Sequence, residues 1–383
     1  MEKKWVAHRA FFLAFAGISL IIGLGAGLAL LGLTVPRPFD AKAIEHGPLM
    51  IFGFIAGAIV MERTVATKTW WAWAAPAFHT LGVVLLISGA PRQLTAVAFC
   101  MSFATLSACY VLIYHRQSTL EVVIQAAGTI GILSSVVQWA IAGDFEPAMP
   151  LAAVFVVATI IGERVELAQL KIAQSSADVL LTALCLALVA ASLVFILAPD
   201  LGLAVVGALF LIIALAAVRV DVAINLVCSR GLPRFSAACM LAAYGWLAVT
   251  GILWMSSQFL PGELVYDAAV HAVFIGFTLS MIFAHAPVIL PAVVHRALPY
   301  HSVLYVPVAA VHLGLIVRIV SDTQNFVPGV FSGHWTTENQ PSVGSKNKNA
   351  ENVTSFRMPS TGGRNMKTRR NSPAESPEMA VSA

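Results

Sequence analysis

Long apolar runs broken by short polar segments fill residues 9 to 321. Most runs reach the roughly 20 residues that a helix needs to cross the hydrocarbon of a bilayer. The breaks place spans near residues 9–33, 44–62, 70–89, 94–115, 119–142, 148–163, 176–198, 200–220, 235–256, 266–290 and 301–321. The expected fold is an all-α polytopic membrane protein with about 11 transmembrane helices.

Composition agrees, since 58% hydrophobic and 11% charged residues make a chain that lipid must solvate. The basic start MEKKWVAHR precedes a run too long for a signal peptide and without a small-x-small cleavage site, so it reads as a retained first span. With a cytoplasmic N-terminus, the inner segments hold Lys3, Lys4, Arg9, Arg63, Lys68, Arg116, Arg164, Lys171, Arg219, Arg230, Arg234 and Arg296. The outer loops then hold only Arg37, Lys42, Arg92 and Arg318. The positive-inside rule therefore favours that orientation. Residues 1–333 form the expected transmembrane domain, and the polar Ser/Asn/Pro/Lys/Arg stretch 334–383 is expected to be a disordered tail. An odd span count leaves this basic tail outside, which a missing twelfth span would explain.

An internal repeat changes the architecture. The second span reads PLMIFGFIAGAIVMERTV, the sixth PLAAVFVVATIIGERVEL and the tenth AVHAVFIGFTLSMIFAHAP. The first two share a Pro-Leu start and an Ile-x-x-Glu-Arg end, and the three lie four spans apart. This suggests three four-helix modules around a pseudo-threefold axis, the plan of subunit I of haem–copper oxidases, with the last helix of the third module missing. The plainer alternative is that two apolar helices ending in a charged pair simply look alike.

Five histidines, His46, His79, His271, His285 and His312, sit in or at the mouths of these spans, where an unpaired imidazole is costly. His46 and His271 fall at similar depths near the outer face on the second and tenth spans, and two facing imidazoles can hold a haem iron. Met50, Gly53 and Gly57 follow His46 on one helix face, where the glycines either leave a slot for a porphyrin or permit close helix packing. Asp267 precedes His271 by one turn, as a partner for its second ring nitrogen or as a solvated helix-start acid. His285 lies about 21 Å deeper than His271, and with the mid-membrane His79 and His312 it forms a candidate inner-layer metal or proton site. Each alone is as readily a hydrogen-bonded core residue.

Arg318 lies at the level of His46 and His271, where its fork could hold haem propionates, with Asp322 one turn on as an ion-pair partner. Glu62-Arg63 and Glu163-Arg164 read as interfacial anchors or as an ion-pair cluster that locks modules together. The five cysteines form no CxxC or CxxCH, which argues against covalent c-type haem, iron–sulfur clusters and a disulfide framework.

Taken in order, these residues carry a resemblance. His46-Gly-Pro-Leu-Met-Ile-Phe-Gly-Phe through Glu62-Arg63, Ile160-Ile-Gly-Glu-Arg-Val-Glu-Leu167, His271-Ala-Val-Phe-Ile-Gly-Phe through Met281 and His285-Ala-Pro, and Tyr300-His301 with His312 to Asp322 are similar to the NnrS family of haem- and copper-containing bacterial membrane proteins. The resemblance covers most of residues 9–322. It implies about twelve helices, bound haem, of b type, and copper, and a role in handling nitric oxide or its complexes alongside denitrification, in the bacterial cytoplasmic membrane. It favours His46, His271 and His285 as ligands. The C-terminus departs from the pattern, since a polar tail stands where a twelfth span is expected, as in a truncated or frameshifted end.

Three functions compete. One is a cofactor-binding protein that protects against or senses nitric oxide, and the reading leans to this rather than to an enzyme. Another is a redox enzyme related to haem–copper oxidases, against which stands the absence of histidine between His115 and His271. The third is a haem-free transporter of protons or metal ions. No phosphate loop, nucleophile elbow or nucleic-acid surface supports any other class.

Overall fold

The computed structural model describes residues 2–169, 176–256, 264–294 and 300–324, so the polar stretch expected at 334–383 lies outside the described residues. Among the described residues there is no strand. Eleven helices are long and apolar enough to cross a membrane, and the chain is a multi-pass membrane protein. They are α1 (His8–Leu30), α2 (Ala43–Thr67), α3 (Trp71–Ser88), α4 (Arg92–Arg116), α5 (Leu120–Ala142), α6 (Glu146–Glu166), α7 (Ser176–Leu197), α8 (Pro199–Val220), α9 (Leu232–Ser256), α10 (Leu264–Pro287) and α11 (Ser302–Asp322). Helices suit this solvent because lipid offers no partner to a free backbone amide or carbonyl.

Turn chemistry ends the spans where the sequence breaks. Lys68 closes α2 with φ 54°, and Gly89 and Gly143 follow α3 and α5 at φ 74° and 90°, the left-handed geometry common after a helix. Outward faces carry large apolar side chains such as Ile21, Leu81, Val97, Leu193 and Leu313. Inward faces use small residues to bring backbones together. At the crossing of α8 and α9, a Cβ on Gly207 would lie 2.7 Å from the Gly251 carbonyl oxygen, and one on Gly251 would lie 2.6 Å from that of Gly207, a contact only glycine allows.

Consecutive helices pack as antiparallel neighbours. The deepest three are α2, α6 and α10, which enclose 61%, 78% and 67% of their apolar stretches, against 28% for α1 and 11% for α11. The second helix of each expected module thus faces the middle of the bundle. One face of the bundle collects Arg63, Arg116 and Arg164, tied to Glu163, Thr67 and Asp221 respectively, and is called the basic face below. The far face holds His46, His271 and Arg318, with Tyr266 donating to the Glu146 carbonyl at 2.7 Å.

Two of the central helices are not uniform. Leu49–Ile55 in α2 and Ala272–Leu279 in α10 are π-helical, and each follows closely after a histidine. The π form is rare and often marks functional positions. It also explains a sequence discrepancy. Arg63 lies fifteen residues after Pro48 but Arg164 only fourteen after Pro150, and the wider turn of α2 absorbs the extra residue, so that both Glu-Arg pairs reach the basic face.

Candidate functional site

The far-face histidines are held alike, each with Nδ1 on a backbone carbonyl. His46 opens α2, and its Nδ1 lies 2.8 Å from the Gly23 carbonyl oxygen of α1. Gly27, one turn along α1, makes room for the ring: a Cβ there would lie 2.8 Å from Cε1 of His46. His271 has its Nδ1 2.8 Å from the Asp267 carbonyl oxygen in its own helix, with the Asp267 carboxylate at 3.4 Å. A carbonyl only accepts, so in both rings Nδ1 carries the hydrogen and the neutral imidazole keeps its lone pair on Nε2. Ligating histidines are oriented in this way.

His46 lies within electrostatic reach of His271, Asp267 and Arg318. The structure therefore brings together the three residues expected at this level, from α2, α10 and α11. Arg318 forms a close ion pair with Asp267, with Asp322 at 3.5 Å. The charge expected to meet haem propionates is thus already balanced by two carboxylates, and Arg318 instead fixes Asp267 beside His271.

The porphyrin slot expected below His46 is not present. A Cβ on Gly53 would lie 2.6 Å from Ser19 Oγ of α1, and one on Gly57 would lie 2.5 Å from Cε1 of His79. Both glycines permit close approach of α1 and α3. Met50 turns to α1 as well, its sulfur 2.7 Å from where a Gly23 Cβ would stand. The pair of imidazoles thus fits a metal centre by its donor chemistry, whereas the glycine face offers no cradle for a flat macrocycle.

The inner-layer histidines are not joined to one another. His79, almost wholly buried, donates from Nε2 to the Phe52 carbonyl inside the π segment of α2 at 3.0 Å, a side-chain insertion of the kind that distorts helices. His312 accepts at Nδ1 from Trp246 Nε1 at 2.8 Å, and its Nε2 is buried without a partner. With Nδ1 accepting, Nε2 carries the hydrogen, so neutral His312 has no free lone pair for a metal. His285 donates from Nδ1 to the Met281 carbonyl at 2.7 Å and faces Arg164 at 3.2 Å through Nε2. Among the described residues, no three of His, Cys, Asp or Glu are grouped so as to hold a metal ion.

Two arginine networks occupy the basic face. Arg63 meets Glu163 at 2.9 Å, Glu62 at 3.3 Å and Glu166 at 3.6 Å. Arg164 grips both oxygens of Asp221 at 2.9 Å, and Tyr244 donates to the same carboxylate at 2.6 Å. Burial would lift the Asp221 carboxyl, but Arg164 and the donors around it outweigh this and hold it below the usual carboxylate range. Sequence reasoning missed Asp221, Tyr244 and Trp246. Asp221 stands directly after an apolar run, a detectable signal, but nothing local marks which tyrosine or tryptophan reaches across.

The fold and this site define a polytopic helical membrane protein with ion-paired side chains gathered at its two faces. The chain belongs to the family described as "Domain of unknown function (DUF8744)", matched over residues 9–338. No curated protein and no solved structure matches it.

Proposed function

We propose that this chain is a membrane metal-binding protein whose centre is the His46–His271 pair. One observation carries the reading: two histidines from different modules stand at one level, each with Nδ1–H fixed on a carbonyl and Nε2 left to ligate. The resemblance to NnrS adds what the metal would be, haem iron held between the two imidazoles, with copper as a second metal, and what it would serve, the handling of nitric oxide or nitrosative stress alongside denitrification. Haem bound there would supply an iron able to exchange electrons. The chain's own groups would orient the imidazoles, through Gly23, Gly27 and Asp267, and hold Asp267 through Arg318. The collection of arginines on one face supports a cytoplasmic N-terminus, and the resemblance to NnrS adds the bacterial inner membrane.

The test is a reduced-minus-oxidised absorption spectrum of the purified full-length protein, with metal analysis. A haem difference spectrum and bound copper are expected. Protein that takes up neither when expressed with both available would overturn the reading.

A further inference from the structure

A groove of about 650 Å³ opens at the basic face, lined by Val227, Arg230, Gly231, Arg234, Ala238, Tyr300, Ser302 and Tyr305. It lies between the start of α9 and the segment leading into α11. Both arginines are exposed, and among the described residues neither is paired with a carboxylate. This sets them apart from Arg63, Arg164 and Arg318, all committed to acids. Phe235 packs against the rings of Tyr300 and Tyr305, with centroids 6.3 and 5.1 Å away. Two unneutralised guanidinium groups and hydroxyls beside them make a donor set for an anion with several oxygens.

The surface next to the groove says what form that anion takes. Val303, Val306 and Leu313 of α11 are exposed along the same helix, so apolar surface runs from the groove towards the membrane centre. Amphipathic tyrosines at the groove suit the headgroup level of a bilayer.

We infer that this groove binds the phosphate headgroup of an anionic phospholipid from the leaflet at the basic face, with its acyl chains along α11. Basic pockets between transmembrane helices serve this purpose elsewhere. The site is independent of the histidine pair, and its test needs no metal. A second groove, between α7 and α8, is lined by apolar side chains and Arg219 alone. One arginine there gives no fork pair, so Arg219 supplies the control.

The experiment uses the full-length protein in nanodiscs of phosphatidylcholine with and without phosphatidylglycerol. Competition between the two lipids is read by native mass spectrometry and stability by thermal melting. Wild type and Arg219→Gln should prefer phosphatidylglycerol roughly tenfold and melt higher with it, and Arg230→Gln/Arg234→Gln should lose both effects. Should the double variant fail to fold, Tyr300→Phe/Ser302→Ala provides the milder test, with a reduced preference expected. Equal retention of the two lipids by wild type, or an undiminished preference in the variants, overturns the proposal. In detergent, inorganic phosphate should not raise the melting point; a rise that the double variant loses would identify a soluble anion as the occupant and overturn the lipid assignment.

Discussion

Arg63 on α2 and Glu163 on α6 meet at 2.9 Å across a hundred residues of sequence, joining the first two copies of the repeat through the motif they share. The equivalent arginine of the second copy, Arg164, turns instead to Asp221 at the end of α8 and to His285 of α10. The bundle is therefore laced in chain order, with α2 tied to α6 and α6 to the third module. Two repeats with one motif make different contacts because the two arginines stand between different neighbours.

Replacing Arg63 should expose the cost of this arrangement. Glu62, Glu163 and Glu166 all share its guanidinium, and Arg63→Met leaves three carboxylates facing one another. The loss should be about 1–3 kcal/mol, the range for hydrogen bonds to charged groups, because the three carboxylates are 32–54% exposed and water takes up part of their charge. Thermal or denaturant unfolding in detergent measures it, and Arg63→Lys should recover part of the loss, since a point charge lacks the fork geometry. An unchanged midpoint for Arg63→Met would show the network to be ornamental.

The π segment of α2 makes a sharper prediction. Deleting Ile51 should convert Leu49–Ile55 to ordinary α-helix and bring the spacing from Pro48 to Arg63 to that from Pro150 to Arg164. The basic-face network would tolerate this, because the two Glu-Arg pairs would still coincide. Deleting Val154 from the regular helix α6 turns Glu163 and Arg164 by about 100° and should abolish folding. Comparable folded yields for the two deletions would refute this account of the π turn.

Much of this was legible in the sequence. Apolar run length alone gives the eleven spans, because a helix needs about 20 apolar residues to cross the hydrocarbon and satisfies its own backbone there. The far-face trio was legible too, since His46, His271 and Arg318 fall at one depth by residue counting. What counting cannot supply is rotation. Gly53 and Gly57 read equally well as a slot or as a packing face, and only the arrival of Ser19 and His79 decides it. His79, His285 and His312 seemed to share a layer, but each faces a different partner, Phe52, Arg164 and Trp246. Depth follows from sequence, whereas azimuth depends on neighbours brought together by the whole bundle.

Asp221 gives a pH dependence with a definite sign. Its carboxyl is held below the usual carboxylate range in the folded protein, so folding favours the ionised form. The stabilisation is complete above the unfolded value of about 4 and is lost as pH falls through the lower folded value. Melting followed from pH 7 downwards should show this decline in wild type. Asp221→Asn should melt lower at pH 7 and lack that part of the acid limb. A variant whose acid limb matches that of wild type would place the effect elsewhere.

Gln125 on α5 is wholly buried, and neither its amide nitrogen nor its amide oxygen has a partner. It presses against Gly162 of α6, where a Cβ would lie 2.7 Å from its Cγ. An unsatisfied buried polar group costs about 1–3 kcal/mol, so Gln125→Leu, of similar volume, should raise the unfolding midpoint. A fall instead would mean that ordered water satisfies the amide in the native protein.

The ligand assignment makes the last prediction. Removing one of two axial imidazoles leaves iron with an open position, so His46→Ala or His271→Ala should abolish or convert the haem spectrum. His312→Phe should leave it intact, because neutral His312 offers no lone pair while Trp246 donates to it. His115→Ala, at the exposed basic end of α4, is the control. A variant that keeps every ligand gives the strictest test. In Gly27→Val the new Cβ would stand 2.8 Å from Cε1 of His46, so the ring must move although its nitrogen remains. Haem content per protein should then fall while folding, followed by melting, is kept. Wild-type spectra from both His46→Ala and His271→Ala would remove the far-face pair from consideration and leave His285, whose Nε2 now faces Arg164, as the remaining histidine from the family resemblance.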